Sequence, residues 1–87
     1  MFCDEIKERL YAEFPDLPTP ILDEPGMIEW KIPWVDTYVL FEINRRKVFW
    51  HLGSDYIHQF GETSDVNILA NVIRSAIYDP PENSLIY

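Results

Sequence analysis

Between Met27 and Gly53 the large apolar residues fall at every second position in three successive blocks, and the links between the blocks keep the phase. Ile28, Trp30 and Ile32 alternate with Glu29 and Lys31; Val39, Phe41 and Ile43 with Tyr38, Leu40 and Glu42; Val48, Trp50 and Leu52 with Lys47, Phe49 and His51. Successive side chains of a strand point to opposite faces, so this period predicts three strands, each with one buried face. A one-residue slip in either hairpin would turn a whole apolar set towards water, which makes loop length a check on the pattern. A link over Pro33 to Asp36 pairs Ile32 with Thr37, Trp30 with Val39 and Ile28 with Phe41. A link over Asn44 to Lys47 pairs Ile43 with Val48, Phe41 with Trp50 and Val39 with Leu52. Both registers put the large apolar sets on one side. The other side then carries Glu29, Tyr38, Leu40, Glu42, Phe49 and His51, with Lys31 beside Tyr38 and Met27 beside Glu42 and Phe49.

The flanks have helical spacing. Cys3, Ile6, Leu10 and Phe14 form one stripe, which predicts a helix over residues 2–14, with Asp4 and Glu5 in its first turn and Pro15 at its end. Asp4, Glu5 and Glu8 project from the opposite side. Residues 15–26 contain Pro15, Pro18, Pro20, Pro25 and Gly26, which predict an extended connector closing in a turn at Pro25-Gly26. Leu17, Ile21 and Leu22 are expected to pin it to the body, with Asp23 and Glu24 exposed on it. The stretch 54–61, with Tyr56, Ile57 and Phe60, fits either a short fourth strand or an ordered loop, and the loop is preferred. A second helix follows, with Ser64 as N-cap and Asp65 in its first turn. Val66, Leu69, Ala70, Ile73, Ala76 and Ile77 form its apolar stripe, and Ile68 and Val72 widen it. It stops before Pro80-Pro81 and leaves residues 79–87 as a C-terminal tail. Strands joined in sequence by short links pair as an antiparallel meander, and two amphipathic helices bury their stripes on its apolar face. The expected fold is a single α+β domain over residues 1–87, a two-layer sandwich of order αβββα.

A chain of 87 residues is one domain's worth, and 47% apolar with 15% aromatic residues suffices for a core. Met1 is expected to be a true start, and so the chain a complete short gene product. The single cysteine, Cys3, makes no internal disulfide, and no basic start leads into an apolar segment of the signal-peptide kind. No apolar run approaches the roughly 20 residues of a membrane helix. The expected location is the cytoplasm, away from the membrane.

Charge narrows the partners. The formal net charge is −8, with ten acids and three bases in residues 1–43, a basic Arg45-Arg46-Lys47 turn, and five acids and one base beyond residue 52. Such a field repels phosphate backbones and favours basic protein surfaces. Gly26, Gly53 and Gly61 are the only glycines, and they form neither a phosphate-cradling loop nor a serine-centred nucleophile elbow. His51, Asp55 and His58, with Cys3 as a conceivable fourth ligand, match no standard zinc spacing, and Cys3 reads as a small apolar filler. No catalytic residue, metal or cofactor is expected.

The order αβββα resembles that of the double-stranded RNA-binding domain, a module that meets phosphates with a basic start to its second helix. The matching stretch here, Gly61-Glu62-Thr63-Ser64-Asp65, is acidic, which disfavours RNA binding by that mode. Acidic α+β chaperones of secretion systems are similar in element order and charge. The leading expectation is a small acidic inhibitor or regulator of the kind encoded by phages and mobile elements, not an enzyme. It would use Asp4, Glu5, Glu8, Asp23 and Glu24 to occupy a basic, nucleic-acid-binding site on a larger protein. The alternative is a homodimeric acidic chaperone or adaptor that binds a protein client through the tail or through an open sheet face of Glu29, Tyr38, Glu42, Phe49 and His51.

Overall fold

The computed structural model describes residues 2–33, 36–54 and 58–78. Among them are α1 (Phe2–Glu13), β1 (Leu22–Glu24), β2 (Met27–Ile32), β3 (Thr37–Asn44), β4 (Lys47–Gly53), β5 (His58–Thr63) and α2 (Val66–Tyr78). The strands make one antiparallel sheet in sequential order, β1-β2-β3-β4-β5. The α+β class stands, but the sheet has five strands where the sequence predicts three or four.

The central registers are those the alternation demands: Trp30 opposite Val39, Phe41 opposite Ile28 and Trp50, Val39 opposite Leu52. Trp30 and Phe41 are fully buried and meet edge to face, with ring centroids 5.4 Å apart. Around them pack Ile6 and Leu10 of α1, Leu69, Ile73 and Ala76 of α2, and Ile28, Ile32, Val39, Val48 and Leu52 of the sheet. The indole N–H of Trp30 donates to Tyr11 Oη at 3.1 Å, and that hydroxyl donates to the Pro18 carbonyl at 2.8 Å. The buried indole is thereby satisfied, and α1 is tied to both the sheet and the proline connector.

Both additional strands have a physical cause. The prolines at 18 and 20 end before β1 starts, and the Pro25-Gly26 turn folds it back so that Leu22 faces Glu29 and Glu24 faces Met27. An edge position needs backbone bonds on one side only, so a proline-flanked segment can fill it; Ile21 N–H adds a bond to the Glu29 carbonyl at 2.8 Å. Of the three residues expected to pin the connector only Leu17 is buried; Ile21 is 59% exposed and Leu22 half-buried, because the segment lies at the rim of the sheet. The loop preferred for 54–61 gives way to β5, whose inward side carries Gln59, Gly61 and Thr63 and no large apolar residue. The missing side chain is supplied by Trp50: a Cβ on Gly61 would lie 2.7–2.9 Å from the Trp50 indole, which covers that place. Tyr56 and Ile57, expected near this strand, lie outside the described residues, as do Trp34, Val35 and the tail.

The cap of α2 also moves by one residue. Asp65, not Ser64, accepts from Asn67 N–H through Oδ1 at 2.8 Å and from Ile68 N–H through its carbonyl at 3.0 Å, because β5 runs on to Thr63 and the turn closes later. Ile68, expected to widen the buried arc, is 41% exposed, whereas Val72 is buried. Arg9 bonds Asn67, and Glu13 joins Arg9 to Arg74, so the two helices lie side by side and run in the same direction.

Three outcomes follow from this packing. Tyr11→Phe removes the partner of a fully buried indole N–H and should lower unfolding free energy by about 1–3 kcal/mol in denaturant titration. Gly61→Val forces the Trp50 ring from its place and should cost about 1–3 kcal/mol, with a smaller cost in a Trp50→Leu background, where the obstacle is absent. The hydrogen bond from Arg9, with the charge of Arg74, holds the Glu13 carboxyl below its ordinary value. Its contribution is complete above the unfolded-state pKa and is lost as pH falls through the lower folded-state value. Glu13→Gln should therefore flatten the acid side of a stability–pH profile and leave its alkaline side unchanged.

Candidate functional site

The side chains turned away from the helices line up in rows across the strands. One row runs Leu22, Glu29, Leu40, His51, Phe60; a second runs Glu24, Met27, Glu42, Phe49, Glu62; a third joins Lys31, Tyr38, Gly53 and His58. Neither helix covers this face, and Phe49 and Phe60 stand 56% and 75% exposed on it. A hollow of about 290 Å3 lies between Leu40, Glu42, Phe49, Trp50, His51 and Phe60. Beside it is a cleft of about 340 Å3 lined by Glu29, Tyr38, Leu40, His51, Gly53, Ser54 and His58.

Glu29, Tyr38, Glu42, Phe49 and His51, the residues placed on an open face by the sequence pattern, do share this surface. The strand that the pattern obscures adds His58, Phe60 and Glu62, and the β1 edge adds Leu22 and Glu24. A signal for the former was present: His58, Phe60 and Glu62 alternate with Gln59, Gly61 and Thr63, but the one large apolar residue, Phe60, falls on the outward set and the inward set has none, so the hydrophobic contrast that marks a strand is missing. His51 Nε2 and His58 Nδ1 are 2.9 Å apart, with ring centroids 4.8 Å apart. A contact between two ring nitrogens requires one to carry a proton and the other a lone pair. Lys47 reaches Glu62 at 3.4 Å, and Lys31 lies 5.7 Å from the Tyr38 ring centroid. Among the described residues Glu24, Glu29 and Glu42 have no ion-pair partner, so the apolar centre is set among uncompensated carboxylates.

The five acids expected to act as one surface divide. Asp23 lies on the helix side of β1 and pairs with Lys7 at 3.1 Å. Asp4 lines the same groove, together with Cys3, Lys7 and Glu24. The hydrogen bond from Lys7 to Asp23 raises the lysine's affinity for its proton. Glu5 points the other way, to Arg46 at 3.2 Å, whose guanidinium also lies 4.5 Å from the Phe2 ring centroid. Glu8 is exposed on the outward side of α1, and Glu24 belongs to the open sheet face. Glu5 and Asp23 therefore meet cations of the chain itself.

Burial pushes the Cys3 thiol above its ordinary value, which keeps it protonated and poorly nucleophilic. Among the described residues no three His, Cys, Asp or Glu side chains converge as metal ligands. Asp55, the carboxylate that the sequence sets between the two histidines, lies outside those residues. No helix among them is long and apolar enough to cross a membrane. Comparison with protein-family models, with curated proteins and with solved structures finds no match to this chain.

Proposed function

We propose that this chain is a non-enzymatic binding module that regulates a larger protein by engaging a patch of mixed apolar and basic character on its open sheet face. The observation that carries this reading is the pair of exposed aromatic rings, Phe49 and Phe60, beside the hollow at Leu40 and His51. Rigid aromatic side chains give large contact area at small entropic cost, and they are enriched where proteins bind proteins. Glu24, Glu29 and Glu42 select the sign of the partner: lysine or arginine flanking an apolar anchor would meet carboxylates that no cation among the described residues engages. The overall charge of −8 acts in the same sense at longer range by steering basic surfaces inward.

The reading keeps the acidic regulator expected from the sequence but moves its contact surface. The ion pairs Asp23–Lys7 and Glu5–Arg46 weaken the case for the α1 surface, since a basic partner would compete there with internal cations. On the sheet face charge and apolar area coincide.

A displayed peptide library selected on the wild-type chain tests this. Enriched sequences should combine aromatic or aliphatic anchors with lysine or arginine, and their binding should weaken as salt rises to physiological strength. Phe49→Ser should weaken them by about 30-fold, the loss typical of a central anchor. Peptides that bind the Phe49→Ser and Phe60→Ser variants as well as the wild type would refute the assignment to this face.

A further inference from the structure

The two edges of the sheet are built differently. β1 is three residues long and follows closely on Pro18 and Pro20, features that discourage another strand from adding there. β5 runs six residues with no proline, lysine or bulge, and its register with β4 is unbroken from Val48–Thr63 to Gly53–His58. Among the described residues no strand lies beyond it, and it carries Phe60, 75% exposed.

The direction of its backbone groups follows from one bond. Ile43 N–H donates to the Gly26 carbonyl at 2.8 Å, so the odd-numbered residues of β3 turn their polar groups towards β2. Antiparallel alternation then turns Tyr38, Leu40 and Glu42 towards β4, and turns Val48, Trp50 and Leu52 of β4 towards β5. Their partners on β5 are Thr63, Gly61 and Gln59. The N–H and C=O groups of His58, Phe60 and Glu62 therefore face outward, and the side chains of the same three residues lie on the open face.

We infer that β5 is the edge through which two copies of this chain pair, antiparallel about a two-fold axis at Phe60. In that register His58 of each copy lies opposite Glu62 of the other, and the two Phe60 residues lie opposite each other. All three outward-facing residues then sit in hydrogen-bonded pairs, ring against ring and a cation-capable side chain against a carboxylate that Lys47 of its own chain also reaches at 3.4 Å. A shift of the pairing by one residue would set Phe60 against Gly61, whose Cα faces the helix side. A shift by two would set Phe60 against a charged or polar residue and break both charge pairs. The strand is thus complementary to itself, as a two-fold contact requires. In the tautomer in which Nδ1 of His58 accepts from His51, the proton of His58 sits on Nε2, the atom that would donate to the opposing Glu62. Joining the edges also makes the two open faces continuous, with Phe49 and Phe60 of both copies along the seam. This inference does not rest on the partner reading above.

Sedimentation of the full chain over a range of concentrations is the test. The wild type should show a reversible monomer–dimer equilibrium. His58→Glu sets like charges opposite each other at two places and should raise the dimer Kd about tenfold; adding Glu62→Lys in the same chain should restore it. Phe60→Pro removes an outward N–H without touching the β4 ladder, and it should be monomeric with an unchanged circular dichroism spectrum. In amide exchange, His58, Phe60 and Glu62 should become protected as concentration rises, whereas Gln59 and Gly61 are protected throughout. A wild type monomeric up to about 1 mM, a dimer indifferent to His58→Glu, or a dimer formed only after removal of residues 79–87 would overturn the inference, the last by assigning the edge to the tail.

Discussion

A slip of one residue anywhere in the β2-β3-β4 meander would bring Trp30 or Phe41 into water and draw Glu29, Glu42 or Lys47 beneath the helices. The opposed cost of those two errors holds the register, and the rest of the molecule is arranged around it. With Trp30 fixed beneath α1, its indole N–H has one direction in which to find a partner, and Tyr11 stands there. Tyr11 in turn holds the connector through the Pro18 carbonyl, which delivers the chain to the sheet edge where β1 forms. One buried nitrogen thus links the core, the first helix and an edge strand.

On the far side of the sheet the same register has the reverse effect. It collects side chains that neither helix covers, and they are neither wholly polar nor wholly apolar. Phe49 and Phe60 remain exposed where Trp30 and Phe41 on the other side are fully buried, and among the described residues Glu24, Glu29 and Glu42 stand on the same face without an ion-pair partner. On the helix side the charges behave differently. Lys7 meets Asp23, Arg46 meets Glu5, and Arg9 and Arg74 share Glu13, so four of the seven bases of this acidic chain hold its helices in place. Exposed pairs of this kind stabilise little, because water and salt screen them. Their larger effect is on where negative charge remains uncompensated, and the open sheet face is such a place.

Much of that face was legible in advance. Glu29, Tyr38, Glu42, Phe49 and His51 alternate with large apolar residues, so their side follows once the strands are recognised. Phe60 and His58 were not legible as members of it, because β5 has no apolar inward set: Gly61 yields its place to the Trp50 ring, and the signal that identifies a strand by hydrophobic contrast is absent. The acidic residues were visible as a group but not as a surface. Spacing alone puts Asp4, Glu5 and Glu8 on the outward part of α1, yet it says nothing of Arg46 or Lys7 reaching two of the acids from elsewhere in the chain.

The amino-acid order by itself determined the two helices, the three central strands, their pairing and the buried aromatic pair, because each depends on periodicity and on loops of a few residues. Only the tertiary structure decided that β1 and β5 complete the sheet, that Asp65 caps α2, and which carboxylates stay without a cation. Those outcomes depend on individual contacts, some local and some distant, that hydrophobic periodicity does not report. The Trp50 ring lying over Gly61, the carbonyl of Glu29 bonding Ile21, and the cations reaching from one element to another leave no mark in local pattern.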